Sequence, residues 1–226
     1  MFLTIEPHQH EKYRHLLDKM FRLRARVFGE KLGWDVPVAN GVERDRYDDL
    51  SPLYLISTND EQTEVYASMR FLPTTGPTLL ADVFHETLSD ELDLDSPFIW
   101  ECTRFCVDEE LIEREGRPVD CARLGGQMLI ACCEFGLRSG IDHILANFDP
   151  IRLRIWRRAG AKVDLIGKSD AFGERPVYLG LFEISEAVLH TMRYRLGVNE
   201  PLLPPVHNNG IFGNPDLVLD DLPLAA

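Results

Sequence analysis

Apolar residues recur along this chain with two different periods, and the two interleave. From His8 to about Lys31, Leu16, Leu17, Met20, Phe21, Leu23 and Val27 fall at helical spacing, which predicts one amphipathic helix. Its end carries Arg22, Arg24 and Arg26, with Gly29 or Gly33 as the stop. Leu53–Thr58 and Glu64–Leu72 read as two strands of a meander turning at Asn59 and Asp60. Leu79–Leu88 reads as a short helix, and Phe98–Val107 (FIWECTRFCV) as a buried strand. Val119–Ser139 is the longest apolar helix and ends at Gly140. Ile141–Phe148 is strand-like, and Pro150–Ala159 is a basic helix closed by Gly160. Ala161–Ile166 and Pro176–Phe182 complete the strands, and Ser185 caps a last helix to about Leu196. Strands alternating with helices over this length predict an α/β protein, a three-layer sandwich around a mixed sheet. Residues 1–198 are expected to form one domain. From 199 to 226 the chain turns proline-rich and aperiodic, a tail or wrapping arm.

One stretch breaks the pattern. Gly33 to Tyr54 (GWDVPVANGVERDRYDDLSPLY) is too polar for a core and too aromatic for an idle linker. Trp34 and Tyr47 accompany Glu43, Asp45, Asp48 and Asp49, with Arg44 and Arg46 interleaved. Carboxylates beside aromatic faces suit a small cationic ligand, because both attract positive charge. The competing reading is a solvated, turn-rich loop.

Composition narrows the field. The 226 residues suffice for one full domain, and contents of 45% hydrophobic and 27% charged are ordinary for a globular protein. No apolar run approaches the roughly 18 residues that span a bilayer, so no membrane partner is expected. The N-terminus (MFLTIEPHQHEKYRH) lacks a basic region followed by an apolar one, so no signal peptide is expected either. Cys102, Cys106, Cys121, Cys132 and Cys133 are odd in number, lack zinc-site spacing and mostly sit in apolar segments. Reduced core thiols, no metal site and a cytoplasmic location follow as expectations. A net charge of −13 argues against general nucleic-acid binding.

Within FIWECTRFCV, Glu101 and Arg104 are ionisable groups in apolar surroundings. Buried charges are paired or functional, because burying one alone is costly. An odd separation puts the two on opposite faces of a regular strand unless a bulge intervenes, which points to separate partners. Arg70 lies at the end of a neighbouring strand, where it would meet the acids at 43–49. A structural ion-pair network and a catalytic one fit these residues equally well.

Arg24, Phe28, Trp34, Glu43, Asp45, Asp48, Arg70, Phe84, Glu101 and Arg104 occur in the order and spacing of a known family. The strings FRLRARVF, LGWDV, E-x-D-x-Y-D and E-x-T-R-F-x-V match as well. Over roughly residues 15 to 195 the chain resembles the acyl-homoserine lactone synthases of the LuxI type. The resemblance implies a fold like that of the GNAT acyltransferases, no cofactor, and two substrates. One is S-adenosylmethionine and the other is an acyl thioester, carried by acyl-carrier protein or coenzyme A. The amine of the first attacks the thioester carbonyl, and its carboxylate then displaces methylthioadenosine to close the lactone, a quorum-sensing signal.

On that resemblance Glu101 is the candidate base and Arg104 shares the catalytic centre. Asp45, Asp48, Arg70 and Arg104 would clamp the amino-acid moiety, with Phe28, Trp34 and Phe105 as walls. Arg24 and Glu43 would tie the N-terminal helix to the lid, and Phe84 would support the site. An acyl tunnel between the sheet and the long helix would be lined by Cys102, Met128, Ala146, Phe148 and Leu179. Ala146 stands where members preferring 3-oxo chains often carry threonine, which argues against a 3-oxo substrate; Thr103 replaces a frequent serine. Arg152, Arg154, Arg157 and Arg158 form a basic face that is either a docking patch for an anionic carrier or a solvated helix surface. Two other functions fit the same outline. One is an N-acyltransferase using acyl-CoA and another amine, although RLGGQ at 123–127 only faintly echoes the usual pyrophosphate loop. The other is a silent protein that binds S-adenosylmethionine or an acyl carrier.

Overall fold

The computed structural model describes residues 1–88, 92–172 and 175–205. In chain order the regular elements are β1 (Phe2–Ile5), α1 (Arg14–Arg24), β2 (Val38–Ala39), β3 (Val42–Glu43), β4 (Leu53–Thr58) and β5 (Val65–Pro73). There follow α2 (Leu79–Asp82), β6 (Ile99–Val107), α3 (Glu109–Arg114), α4 (Cys121–Ser139), β7 (His143–Phe148) and α5 (Pro150–Ala159). The described chain closes with β8 (Val163–Ser169), β9 (Val177–Glu183) and α6 (Glu186–Leu196).

A seven-stranded sheet, in the order β1-β4-β5-β6-β7-β9-β8, forms the middle layer. Only β6 and β7 pair parallel, so the sheet is mixed and the expected three-layer sandwich holds. On one face α1 buries Leu16, Leu17, Met20, Phe21 and Leu23 against Leu3, Ile5, Tyr54 and Ile56 of the strands. On the other, Leu124, Met128, Ala131 and Phe135 of α4 cover Leu55, Met69, Phe71 and Ile144. Helix α6 packs behind α4 through Val188, Leu189 and Met192. Each large apolar side chain buried in this way contributes about 1.5–3 kcal/mol.

Several elements depart from expectation. The helix expected over 8–31 is broken: a 3-10 turn (Pro7–Gln9) precedes α1, and Ala25–Lys31 winds on as π-helix. The segment 79–88 is likewise split into α2 and a 3-10 turn at His85–Thr87. Strand β1 and helix α3 have no counterpart among the expected elements; both are short, so each shows too little of its pattern to stand out. The polar lid also holds a hairpin, β2–β3, turned by Asn40 and Gly41 with φ of 54° and 72°. Asn-Gly at that place is a hairpin signature.

RLGGQ is not a loop. It lies within α4, where Gly126 admits Leu196: a Cβ there would meet that side chain at 2.9 Å. Residues 199–205 wrap rather than trail, because the buried Glu134 carboxylate accepts the Leu202 and Leu203 amides and Leu203 is buried. The rest of the expected tail lies outside the described residues. Among the described residues no helix is long and apolar enough to cross a membrane.

Candidate active site

The lid brings its acids to the sheet by its own turn chemistry. Asp45 caps a 3-10 helix (Arg46–Leu50): its Oδ1 accepts the Tyr47 amide at 2.9 Å, and Asp48 Oδ2 accepts the Asp45 amide at 2.9 Å. Once capped, the two carboxylates face three arginines from three other elements. Arg24, fully buried on α1, holds Asp48 in a fork, 2.8 Å on each arm, and donates through Nε to Glu43. Arg70 of β5 grips Asp45 with both Nη atoms, approaches Asp48 at 3.0 Å, and donates from Nε to Thr103 at 3.0 Å. Arg104 of β6 donates to Glu43 at 3.2 Å and to Asp45 at 2.8 Å. Tyr54, opposite Arg70 on β4, donates to Asp48 at 2.7 Å.

Bidentate, charge-assisted contacts of this kind are the strong class of hydrogen bond. They hold Asp48 well below the ordinary carboxylate range despite its burial, chiefly through Arg24 and then Arg70. Arg24, Glu43 and Asp48 are sealed from solvent, whereas Asp45 and Arg104 keep 10% and 9% of their side-chain surface. The network therefore has a closed inner half and an open outer edge.

Arg104 reaches that edge because β6 is bulged. The pairing with β5 shifts between Arg70↔Thr103 and Ser68↔Cys106, and Arg104 takes a left-handed φ of 54°. Such a backbone in a residue with a Cβ is uncommon and costs energy, so it persists only where its surroundings impose it. Here the guanidinium is held by two carboxylates and lies 5.5 Å from the Phe28 ring centre. Phe28 in turn stacks on Trp34 at 5.2 Å, and Trp34 is 54% exposed, an aromatic wall at the rim. Glu101 and Arg104 do have separate partners, but the bulge puts both on the lid face rather than on the opposite faces that their spacing alone suggests.

Glu101 stands apart from the arginines. It is 2% exposed, and its oxygens accept the backbone amides of Leu79, at 2.9 Å, and Leu80 at the start of α2. Burial pushes its carboxyl up; the two amides and the nearby Arg70 pull it back, and Asp45 raises it again. Glu43, Asp45 and Asp48 are matched by three guanidinium groups, which leaves Glu101 with no side-chain cation of its own among the described residues.

Other expected site residues fall elsewhere. Phe105 is not beside Phe28 and Trp34. Without the bulge it would share the face of Glu101 and Thr103; the extra residue reverses the alternation, and it packs with the α4-side core, 6.2 Å from Trp156. Cys102, Met128, Ala146 and Phe148 are gathered on that same side. Leu179 is not with them. It lies across the sheet with Leu80 and Leu145, because its register partner is Asn147 rather than Ala146. Phe84 borders that small cluster and packs edge-on against Phe172 at 4.7 Å, away from the ion pairs.

Beyond Glu101↔Leu145, β6 and β7 cease to pair although both continue, so the sheet forks. The indole of Trp156 fills the fork against Phe148, at 4.9 Å, and Phe105. Arg152, Arg154, Arg157 and Arg158 are all on α5, alongside exposed Ile151 and Ile155. Arg152 lies 3.8 Å from Asp149, and Arg157 donates to the Val163 carbonyl. Arg154 and Arg158 make no ion pair with the described residues.

Sequence reasoning passed over Tyr54, Trp156 and the amides of α2, and named Tyr47 only as an aromatic of the lid. A tyrosine inside the apolar string LYLIST was a signal for the first; the others become visible only once strands are paired.

Residues 8–192 match the family described as autoinducer synthase. The chain is 35% identical over 192 residues to an acyl-homoserine-lactone synthase of Rhizobium etli, covering 82% of this chain and 85% of that protein. It is 39% identical over 173 residues to another from Agrobacterium fabrum, covering 76% and 80%. The fold matches the coenzyme A-dependent acyl-homoserine lactone synthase BjaI, solved with S-adenosylmethionine and isopentyl-CoA. That match has a TM-score of 0.79 and 26% identity, covering 90% of this chain and 92% of that one. The sandwich is thus of the GNAT-like kind, and the chain belongs to the autoinducer synthase family.

Proposed function

We propose that the protein is an acyl-homoserine-lactone synthase, which acylates the amine of S-adenosylmethionine from an acyl thioester and closes the product to a lactone. The observation that carries this reading is the charge balance of the lid face. Among the described residues, three carboxylates are neutralised by Arg24, Arg70 and Arg104, and a fourth, Glu101, is not. A pocket with one surplus carboxylate favours a cation, and a carboxyl raised by burial is a competent base.

Glu101 takes a proton from the substrate ammonium, directly or through a water. The freed amine attacks the thioester carbonyl, the oxyanion collapses and the carrier leaves as its thiol. The carboxylate oxygen of the acylated product then displaces methylthioadenosine from the γ-carbon. Arg104 and Asp45 at the open edge, with Phe28 and Trp34, hold the sulfonium and amino-acid moiety. Arg24, Glu43, Asp48 and Arg70 act beneath them as the rigid base of the site, and Phe84 supports α2 from behind. No cofactor is required, since S-adenosylmethionine is consumed.

The acyl chain runs on the other side of the sheet, past Cys102, Phe105, Met128, Ala146 and Phe148, and takes the fork of β6 and β7 by displacing the Trp156 indole that fills it. Leu179 has no part in it. Ala146 offers no hydroxyl to a 3-oxo group, so a chain without that group is preferred. The carrier, acyl-carrier protein or coenzyme A, is anionic and docks on the cationic and apolar face of α5, at Arg152, Arg154, Arg157 and Arg158.

Incubation with S-adenosylmethionine and matched panels of acyl-CoA and acyl-carrier-protein thioesters tests the reading by mass spectrometry. Acyl-lactone and methylthioadenosine in equal amounts are expected. An acylated amine without lactone, or binding without turnover, would overturn it.

A further inference from the structure

Helix α2 touches the acid and arginine network at one end and the base at the other. At its start, the Leu79 and Leu80 amides bond both oxygens of Glu101, with the turn closed by Thr78, whose Oγ1 accepts the Ala81 amide at 3.1 Å. At its end, Asp82 accepts the Tyr47 hydroxyl at 2.9 Å and the Arg46 guanidinium at 2.6 Å. Tyr47 is itself fixed. It is 3% exposed, its ring lies 5.4 Å from the Arg70 guanidinium, and its amide bonds Asp45. A cavity of about 320 Å³, lined by Arg46, Tyr47, Leu50, Pro77 and Asp82, adjoins this link. On the lid side α2 is therefore placed by hydrogen bonds more than by packing, while Leu80 anchors its other side among Leu145 and Leu179.

We propose that Tyr47 and Asp82 are positioning residues: their hydrogen bond couples the lid to α2, and through the α2 amides it sets the orientation and basicity of Glu101. The inference rests on the synthase reading and assigns two further residues to the same site. Amide donors favour the ionised carboxylate. Of the charged groups around Glu101, Arg70 on β5 acts in the same direction and Asp45 in the lid acts against it. Losing the Asp82 link frees α2, weakens the amide bonds and raises the pH at which Glu101 becomes a base.

The test uses the full chain with Asp82→Ala, Asp82→Asn and Tyr47→Phe. In Asp82→Ala and Tyr47→Phe the acid limb of the pH profile moves to higher pH. At a fixed pH on that limb, kcat falls about tenfold for each pH unit the limb has moved. KM for S-adenosylmethionine stays within about twofold, because the rim contacts are untouched. Asp82→Asn, whose amide oxygen still accepts from Tyr47, restores the wild-type profile. The carboxyl carbon of Glu101, labelled with carbon-13 and assigned by its loss in Glu101→Gln, is titrated by NMR without substrate. It is expected to titrate at higher pH in Asp82→Ala and Tyr47→Phe than in the wild type. An unchanged titration in either folded variant, or Asp82→Asn behaving as Asp82→Ala, overturns the inference. Tyr47→Phe keeps the buried ring and carries the test if Asp82→Ala does not fold. The titration needs no turnover, so failure of the synthase reading shows separately, as absence of lactone from the wild type.

Discussion

The two faces of the central sheet solve burial in opposite ways. On the lid face, Arg24, Glu43, Asp48 and Arg70 are buried as ions, each answered by name and geometry. On the α4 face, Met128, Ala131, Ile144 and Phe148 are buried as hydrocarbon, sulfur and ring, with no directional demand. A charged partner admits no substitute, whereas an apolar neighbour is exchangeable if volume is kept. One face is thus suited to gripping an unchanging substrate. The other, where the proposed acyl chain would run, is free to vary with its length and shape.

The contrast is tested hardest at Glu101. Glu101→Gln is expected to lower single-turnover rates by about 10²- to 10⁴-fold, with S-adenosylmethionine affinity nearly unchanged by calorimetry. Equal loss of both would remove it as the base. Next comes Arg24→Met, which takes from Asp48 its bidentate partner and from Glu43 one of its two arginines, leaving Arg70, Tyr54 and Arg104 to answer two carboxylates in a sealed site. Urea denaturation is expected to show a loss of about 3–5 kcal/mol. On the opposite face Met128→Ala removes only packing, about 2–5 kcal/mol by the same measurement. It should change the preferred acyl length while leaving S-adenosylmethionine binding as it was; a change in the latter would mean the faces are not independent.

Acid separates the two faces further. The folded-state pKa of Asp48 is depressed, so its stabilisation is complete above its unfolded value of about 3.8 and is lost as pH falls below that. The carboxyl of Glu101 is raised and acts in the other direction, favouring the folded state as it protonates. Stability measured from pH 7 downward should therefore hold through the ordinary carboxylate range and collapse beneath it. Met128→Ala should shift the whole curve without altering its shape. The smallest effect is expected on α5: Arg154→Glu with Arg158→Glu should slow carrier association several-fold at low salt and little at high salt, with stability unchanged.

Much of this was legible beforehand, and the exceptions have a common cause. Leu53–Thr58 and Pro150–Ala159 coincide with their expected limits, because a short apolar run ended by the Asn59-Asp60 turn in one and an Asp149 cap with a Gly160 stop in the other are local signals. The acid–arginine pairing was legible because buried charge must find a partner. The wrong faces assigned to Phe105 and Leu179 are errors of register. A bulge at Arg104 and a pairing of Leu179 with Asn147 are properties of two strands together, and neither strand alone contains them.

The doubled duty of Asp45 and Asp48, which close a turn and receive arginines, bears on how such enzymes can be recombined. Their segment is not a portable cassette. Moved alone into a scaffold lacking matching guanidinium groups, it would bring clustered like charges into a dry seam and spring open. Chimeras between relatives should therefore exchange the lid together with Arg24, Arg70 and Arg104, three positions scattered widely along the chain.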